Sequence, residues 1–188
     1  MLQVNRYVLR LLAVAIVFGS ISSCKSIDTS SVMPQDSSVI VSSANDAAKA
    51  FLDSGNAKNN KQDYQGAIAD YTKAIRLNPN YDKAYKRRGS AKAANNEDYQ
   101  GQIADLNEAI RINPNYADAY HSRGSVKSLL GYRQGGLEKF ILGDKRQDGL
   151  RDLQESARLY RQQGDAFMYH DVQYTIFMLY GRDYLLKD

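Results

Sequence analysis

Apolar side chains recur at helical spacing along this chain from about residue 45. Between Tyr64 and Leu77 they lie one, three and four positions apart, which places a single apolar stripe on one face of a helix. Asn78-Pro79 ends this helix, because proline cannot continue it and disfavours the helical conformation in the residue before it. An earlier helix begins near Asn45, and the polar segment NNKQ separates the two. The pattern predicts a pair of helices with a proline-marked exit.

A segment of 27 residues occurs twice, displaced by 35 positions. Residues 63–89 read DYQGAIADYTKAIRLNPNYDKAYKRRG, residues 98–124 read DYQGQIADLNEAIRINPNYADAYHSRG, and 18 of the 27 positions are identical. Near-copies at such a period indicate one helical unit that has been duplicated and stacked, since a single unit cannot bury its apolar face alone. We therefore expect an all-α fold, an α-α superhelix of about three helix pairs, with units at about residues 48–81, 82–116 and 117–163.

The third unit carries an insertion. Residues 129–140 and 141–153 look like a small tandem duplication, so two segments could supply the second helix of this unit. The segment from Asp148 to Tyr160 is favoured, because its apolar stripe is continuous and the earlier segment is interrupted by Gly135 and Gly136. Residues 131–147 would then be an inserted turn or loop.

One more helix, at about residues 165–184, is predicted to cap the stack. An open stack needs such an element to cover its final apolar surface. The inner face would be formed by Tyr169, Val172, Ile176 and Leu179. The outer face is more apolar than a solvent-facing cap requires, and it carries Phe167, Tyr174, Phe177 and Met178. This outer face either packs on the inserted segment or is a contact site for another molecule.

The two copies resemble tetratricopeptide repeats. Tyr85 and Tyr120 stand where that family has its bulky first-helix residue, and Gly89 and Gly124 stand where the two helices of a unit approach most closely. The small residues, the large packing residue and the exit proline of the family are matched by Ala67, Ala74, Ala109, Tyr71, Leu106, Pro79 and Pro114. Three residues depart from the family pattern and are expected to loosen the packing locally, namely Gln102, Lys58 and Lys92.

Arginine and aspartate also recur at fixed places in the copies. Arg88 and Arg123 precede the repeat glycines, while Asp70 and Asp105 lie in the second helices. We expect interhelix bonds that join Arg88 to Asp70 and Arg123 to Asp105.

The resemblance implies that the functional surface is the concave face, which the first helices of the units line. The residues at these positions are Lys49, Leu52, Asn56, Asn59 and Asn60, then Lys83, Lys86, Arg87 and Ser90, then His121, Ser122 and Ser125. Amide groups can hold a peptide backbone through paired donors and acceptors, and Lys or Arg selects acidic groups. The expected partner is a protein or peptide, with acidic groups favoured. A basic face that is merely solvated is the alternative interpretation.

Members of the family that bind chaperone tails use a carboxylate clamp of Lys and Asn, then Asn, then Lys and Arg. Asn56 matches one place of this clamp, whereas Leu52, Arg87, Asp118 and Ser122 do not fit the others. Chaperone tails are therefore not the expected ligand.

The composition and the motifs argue against nucleic-acid binding, metal binding and catalysis. The 188 residues carry a formal net charge of +4, and so small a surplus gives little support for nucleic-acid binding. His121 and His170 are the only histidines and belong to distant units. The sequence has no metal-ligand spacing, no glycine-rich phosphate loop and no catalytic constellation. We expect no enzyme activity, no cofactor, no metal and no small-molecule substrate.

The N-terminal segment predicts export and lipidation. Arg6 and Arg10 precede an apolar run at residues 11–18, which is too short to span a bilayer. The following Ile-Ser-Ser-Cys, which ends at Cys24, resembles the bacterial lipobox, whose cysteine is acylated. Residues 1–23 are thus predicted to be a lipoprotein signal peptide, and residues 24–44 a lipidated, Ser-rich tether. An ordinary cleaved signal is the alternative.

These patterns together predict a lipid-anchored adaptor or scaffold on the periplasmic or outer face of a bacterial membrane. Outer-membrane placement is permitted, because Lys25 stands where enterobacterial sorting uses Asp for inner-membrane retention. Two alternatives stay open. One is a pilotin-like lipoprotein with a single pilus or secretin client, and the other is a self-associating spacer without a groove ligand.

Overall fold

In the part of the chain that the structure describes, seven α-helices follow one another in a stack. The computed structural model describes residues 37–133 and 143–186, and these helices belong to one compact unit. They are α1 (Ser37–Asn60), α2 (Tyr64–Leu77), α3 (Asp82–Asn96), α4 (Tyr99–Ile112), α5 (Ala117–Arg133), α6 (Gly143–Gln163) and α7 (Ala166–Tyr180). A 3-10 helix at Arg182–Tyr184 follows, and the described ranges contain no strand. Each helix packs against the next, so the predicted all-α superhelix of three helix pairs with a C-terminal cap is confirmed.

Aspartate side chains cap the N-termini of three helices. The Asp63 carboxylate accepts a hydrogen bond from the backbone N–H of Gly66 at 2.9 Å, and Asp98 accepts one from Gly101 at 2.8 Å. Asp165 does the same for α7 at 3.0 Å. A carboxylate at this position satisfies a free backbone donor and complements the positive end of the helix dipole. The helix starts are therefore fixed by local sequence.

Glycine permits the closest contact between the two helices of a unit. A Cβ atom at Gly89 would lie 3.1 Å from the carbonyl oxygen of Gln102, and one at Gly124 would lie 2.8 Å from that of Gly149. Both neighbours are backbone atoms, which cannot move without moving a helix. The role that the resemblance implied for the two glycines is confirmed.

The second helix of the third unit is α6, as predicted from the stripe between Asp148 and Tyr160. Leu153 is fully buried, and it takes the place of Leu106 in α4 and Tyr71 in α2. The separation of Leu106 and Leu153 is 47 residues, so the third unit has 47 − 35 = 12 residues more than the repeat period. These twelve residues lie between Gly124 and Leu153, and some of them lengthen the two helices: residues 131–133 of the predicted insertion belong to α5 and residues 143–147 belong to α6.

A buried aspartate lies at the same place in the second helix of every pair. Asp70, Asp105 and Asp152 are 3%, 4% and 7% exposed. Each binds a lysine from the first helix of its own pair, and each receives a second donor from that helix. The contacts to Asp105 come from Arg88 Nε at 3.0 Å, Arg88 Nη2 at 2.6 Å and Lys92 Nζ at 2.9 Å. We call these three groups the carboxylate clusters.

The other two carboxylate clusters have the same design. Asp152 binds Arg123 through two bonds of 2.8 and 2.7 Å, and it binds Lys127 Nζ at 2.9 Å. At Asp70, Lys58 Nζ lies at 2.6 Å and the Ser54 hydroxyl donates at 2.7 Å. Burial raises the pKa of Asp70, but the bonds from Lys58 and Ser54, with the nearby charges, hold it below its ordinary value.

The expected bonds from Arg88 to Asp70 and from Arg123 to Asp105 are wrong. Arg88 binds Asp105 and Arg123 binds Asp152, one helix further along the chain. The reason is that each arginine precedes the glycine at which its helix touches the second helix of its own unit.

The expected loosening at Lys58 and Lys92 is also wrong, because both lysines bind the buried carboxylates. Gln102 differs from the lysines in lacking such a partner for one of its side-chain atoms. Its side chain is 8% exposed, and its Oε1 atom is buried without a hydrogen-bond partner.

The first helix begins earlier than the sequence indicated. α1 starts at Ser37 rather than at Asn45, since no glycine or proline interrupts residues 37–45. Asn45 does not cap the helix, and its side chain accepts a hydrogen bond from Asn78 Nδ2 at 3.0 Å. The predicted signal peptide at 1–23, Cys24, the tether as far as residue 36, and residues 134–142 of the predicted insertion lie outside the described residues.

Candidate functional site

The predicted groove residues all lie on first helices of pairs, namely α1, α3 and α5. Four side chains are exposed: Lys49, Asn60, Lys83 and Arg87. The half-buried ones are Asn56, Asn59, Lys86, Ser90, His121, Ser122 and Ser125. Leu52, which was expected to line the groove, is instead a core residue at 7% exposure that packs with Tyr71.

Asn56 and Arg87 both act on the hydroxyl of Tyr71. The Tyr71 hydroxyl donates to Asn56 Oδ1 at 3.0 Å, which turns the amide N–H₂ of Asn56 away from Tyr71. Burial raises the pKa of Tyr71, and the positive charge of Arg87 opposes this effect. Tyr71 therefore orients an amide of the first unit and is influenced by a cation of the second.

Lys86 and His121 come together around Asp118, which links the second and third units. Lys86 Nζ lies 3.9 Å from Asp118 Oδ2, and Asp118 Oδ1 accepts a hydrogen bond from the Tyr160 hydroxyl. Burial lowers the pKa of Lys86, while the charge of Asp118 opposes this shift. Burial also lowers the pKa of His121, against the charges of Asp171 and Asp118. The Lys86 ammonium is thus partly desolvated and has one distant carboxylate.

Several predicted residues already have partners on their own helix. Lys49 Nζ binds Asp53 Oδ2 at 3.0 Å, and the Ser90 hydroxyl donates to the carbonyl oxygen of Lys86 at 3.1 Å. Such local pairs are weak where they are exposed, but they lower the number of groups that face a ligand. The groups best placed to act on a ligand are Asn56 and the cations of α3.

Two residues near this face were missed as site residues. Asp118 stands at the second position of α5, where α3 has Lys83, and this register could have identified it. Tyr116 lies just before α5. Burial raises the pKa of Tyr116 to about 12, the charges of Asp118 and Asp82 add to the shift, and Arg87 opposes it. The basic centre on α3 therefore has an acidic and phenolic border on the side of α5.

The described part of the chain contains neither a group of metal ligands nor a membrane-spanning helix. Within residues 37–133 and 143–186, no three His, Cys, Asp or Glu side chains are grouped as a metal site. In the same ranges no helix is both long enough and apolar enough to cross a bilayer.

The chain is similar in sequence to one repeat family and similar in fold to several solved structures. Residues 55–96 match the family model described as TPR repeat, TPR being the tetratricopeptide repeat. No curated protein sequence matches the chain.

Three solved structures are similar in fold. The TPR2B domain of yeast Sti1, in complex with pHsp70, is 18% identical over 74% of this chain and 94% of its own, with a TM-score of 0.55. The Arabidopsis OM64 TPR domain is 22% identical over 71% and 99%, with a TM-score of 0.52. The first TPR of Spaghetti (RPAP3), bound to the HSP90 peptide SRMEEVD, is 21% identical over 70% and 94%, also with a TM-score of 0.52. Residues 55–96 thus match the tetratricopeptide repeat model, and the described helices have the fold of tetratricopeptide repeat domains.

Proposed function

We propose that this protein is an adaptor that holds an acidic segment of a partner protein on the inner face of its helical stack. The observation that carries the proposal is the unbalanced charge of α3. Lys83 and Arg87 are exposed, and neither has an ion pair among the described residues. Lys86 has one carboxylate at 3.9 Å. Three cations on one helix face attract a carboxylate ligand and can bind it through charge-assisted hydrogen bonds.

The solved structures support peptide binding by this fold. Two of them are complexes, one with pHsp70 and one with an HSP90 peptide whose sequence, SRMEEVD, is acidic. The ligand proposed here has the same charge but is not a chaperone tail, because Leu52 is buried and Asp118 brings a negative charge to the third unit. The basic centre here lies on α3, and Asn56 contributes an oriented amide beside it.

The binding test uses the full chain in nanodiscs of zwitterionic lipid, with empty nanodiscs as the blank. The probe is a fluorescent peptide with three consecutive acidic residues, and its affinity is measured by fluorescence anisotropy. The double variant Lys83→Glu/Arg87→Glu is expected to weaken binding at least tenfold, because two attractive charges become repulsive. The matched control is Arg76→Glu, which reverses an exposed charge on α2.

Raising the salt concentration should weaken binding by the unchanged chain and have little effect on the double variant. Equal affinity of the double variant and Arg76→Glu would refute the proposed role of α3.

We also propose that the helical stack is tethered to a bacterial membrane through lipid on Cys24, on the periplasmic or outer face. Two or more acyl chains give durable anchoring, and tethering raises the effective concentration of the adaptor for partners at that membrane. Radiolabelled palmitate should be incorporated by cells that express the chain and should be absent from Cys24→Ser. Equal labelling of the two proteins, or no labelling of either, would refute the anchor.

A further inference from the structure

The cap helix α7 repeats the register of the first helices. The fourth residue is a tyrosine in all three, at Tyr85 in α3, Tyr120 in α5 and Tyr169 in α7. By the tetratricopeptide resemblance, positions two, five and nine line the inner face, and in α3 they are Lys83, Lys86 and Ser90. The corresponding residues of α7 are Phe167, His170 and Tyr174, and positions twelve and thirteen are Phe177 and Met178. The outer face of the cap is therefore the counterpart of the groove-lining face.

Burial agrees with this register. Tyr169, Val172 and Ile176 are at most 8% exposed and pack against α6, on the side of α7 opposite the apolar stripe. Two interactions link α7 to α5. The Tyr180 hydroxyl lies 2.6 Å from Ser128 Oγ, and the charge of Asp171, an exposed residue of α7, acts on His121. By this register, the aromatic face of α7 is the counterpart of the face of α5 that carries His121.

The exposed apolar stripe on α7 is as large as the largest apolar patch of a typical monomeric protein. Phe167 is 80% exposed, Tyr174 and Met178 are both 62% exposed, and Phe177 is 43% exposed. Because a large aromatic side chain has an area of about 150–250 Å², the stripe presents roughly 500 Å² of apolar surface. Contiguous patches of about this size are often functional in monomeric proteins.

We propose that the inner face binds one amphipathic partner segment, with its acidic residues on α3 and its aromatic or aliphatic residues on α7. This inference rests on the proposed function and adds the second half of the ligand. Charge complementarity favours a partner segment over a second copy of this chain. A segment with acidic groups would pair with Lys83 and Arg87. A second copy that packed through α7 alone would leave those cations unpaired. The polar residues of α5, His121 and Ser125, lie between the two halves.

The geometry also sets the spacing within the ligand. Side chains join α3 to α5 and α5 to α7. Taking about 8–10 Å, the spacing of packed helices, for each step along this row gives about 16–20 Å from α3 to α7. An extended peptide advances about 3.3 Å per residue. The acidic and apolar groups of the ligand should therefore be separated by about five or six residues.

Three labelled peptides test this inference on the full chain in zwitterionic nanodiscs, with empty nanodiscs as the blank. The first has three acidic residues followed, after five polar residues, by Phe and Leu. The second keeps the acids and has Ser in place of Phe and Leu, and the third keeps Phe and Leu and has Gln in place of the acids. The variant Phe167→Ser/Met178→Ser changes two exposed side chains, and Leu77→Ser on α2 is the matched control at 40% exposure.

The amphipathic peptide should bind at least tenfold more tightly than the acidic one, and Phe167→Ser/Met178→Ser should abolish this advantage while leaving the acidic peptide unaffected. Equal affinity of the two peptides for the unchanged chain would overturn the inference. If the α3 double variant still weakens the acidic peptide in that case, the proposed function stands. If the α3 variant affects no peptide, the proposed function fails as well. Light scattering that shows a dimer lost in the α7 variant would assign the stripe to a second copy and would also overturn the inference.

Discussion

Replacement of Asp105 by alanine would remove the centre of one carboxylate cluster. The change deletes two bonds from Arg88 and one from Lys92. The Asp105 side chain is 5% exposed, whereas those of Arg88 and Lys92 are 18% and 25% exposed. Deletion of one partner of a buried ion pair costs about 3–5 kcal/mol, because the remaining charge is left without a partner. Both cations keep some access to water, so we expect a loss of about 3 kcal/mol in the free energy of unfolding.

The assay is thermal unfolding of the full chain, followed by circular dichroism. For a domain of about 150 residues, each kcal/mol changes the unfolding midpoint by about 2–4 °C, so the expected decrease is about 6–12 °C. Asp152→Ala should give a similar decrease, because Arg123 and Lys127 surround that carboxylate in the same way.

The control is Glu108→Ala, which removes an exposed carboxylate that binds Arg111 at 2.7 Å. Exposed ion pairs contribute little to stability, so the midpoint should hardly change. If Asp105→Ala differed from this control by less than about 2 °C, the carboxylate clusters could not have the stabilising role assigned to them.

Further predictions concern a close contact at Gly124, the unpaired oxygen of Gln102 and the half-buried His121. Gly124→Ala should lower the free energy of unfolding by about 1–3 kcal/mol in urea titration, because the added methyl group meets backbone atoms of α6. Gln102→Met should raise it by about 1 kcal/mol, because it removes a buried acceptor without a partner and keeps the volume. His121 has a lowered pKa, so the unfolded state binds the proton more readily and stability falls as pH decreases below about 6.5. His121→Asn should remove that part of the pH dependence.

The prediction for Gly124 has a matched control. Ser125→Ala changes a half-buried position next to Gly124 and should have a much smaller effect. An unchanged urea midpoint in Gly124→Ala, a less stable Gln102→Met or an unaltered pH slope in His121→Asn would each contradict the corresponding argument.

The fold could be predicted because its determinants are local and repeated. The apolar stripe of α2, the proline exits and the repeat glycines each act within one or two helices. The second helix of the third unit was identified by the same stripe, even though twelve extra residues precede it. Such features can be recognised from the periodicity of the sequence, because equivalent residues occupy the same positions in every copy of the repeat.

Pairing between copies could not be predicted in the same way. A repeat shows that an arginine and an aspartate occur once per unit, but it does not show which copy of the aspartate each arginine reaches. Arg88 has one aspartate on the preceding helix and another on the following helix, and only the contact at Gly89 decides between them. The burial of Leu52 was missed because it depends on packing between helices rather than on spacing along one helix.

The sequence predicted the candidate groove residues by their repeat positions, but it could not predict the environments of their side chains. That Asn56 is held by Tyr71 and that Lys86 is partly desolvated beside Asp118 depend on contacts between units. The apolar stripe of α7 was noticed in the sequence, but its register with the groove became clear only once the helix starts were fixed at Asp82, Ala117 and Ala166.

The extra residues of the third unit lie between Gly124 and Leu153, and the Arg123–Asp152 pair still matches the Arg88–Asp105 pair. Added length between the contact positions of two paired helices is therefore compatible with this packing, since closing a longer loop costs only about 0.6 kcal/mol for each doubling. The corresponding turns of the other units, at Gln62 and Glu97, are natural places to graft an epitope or a reporter. Insertions there would evolve, or could be engineered, independently of ligand recognition.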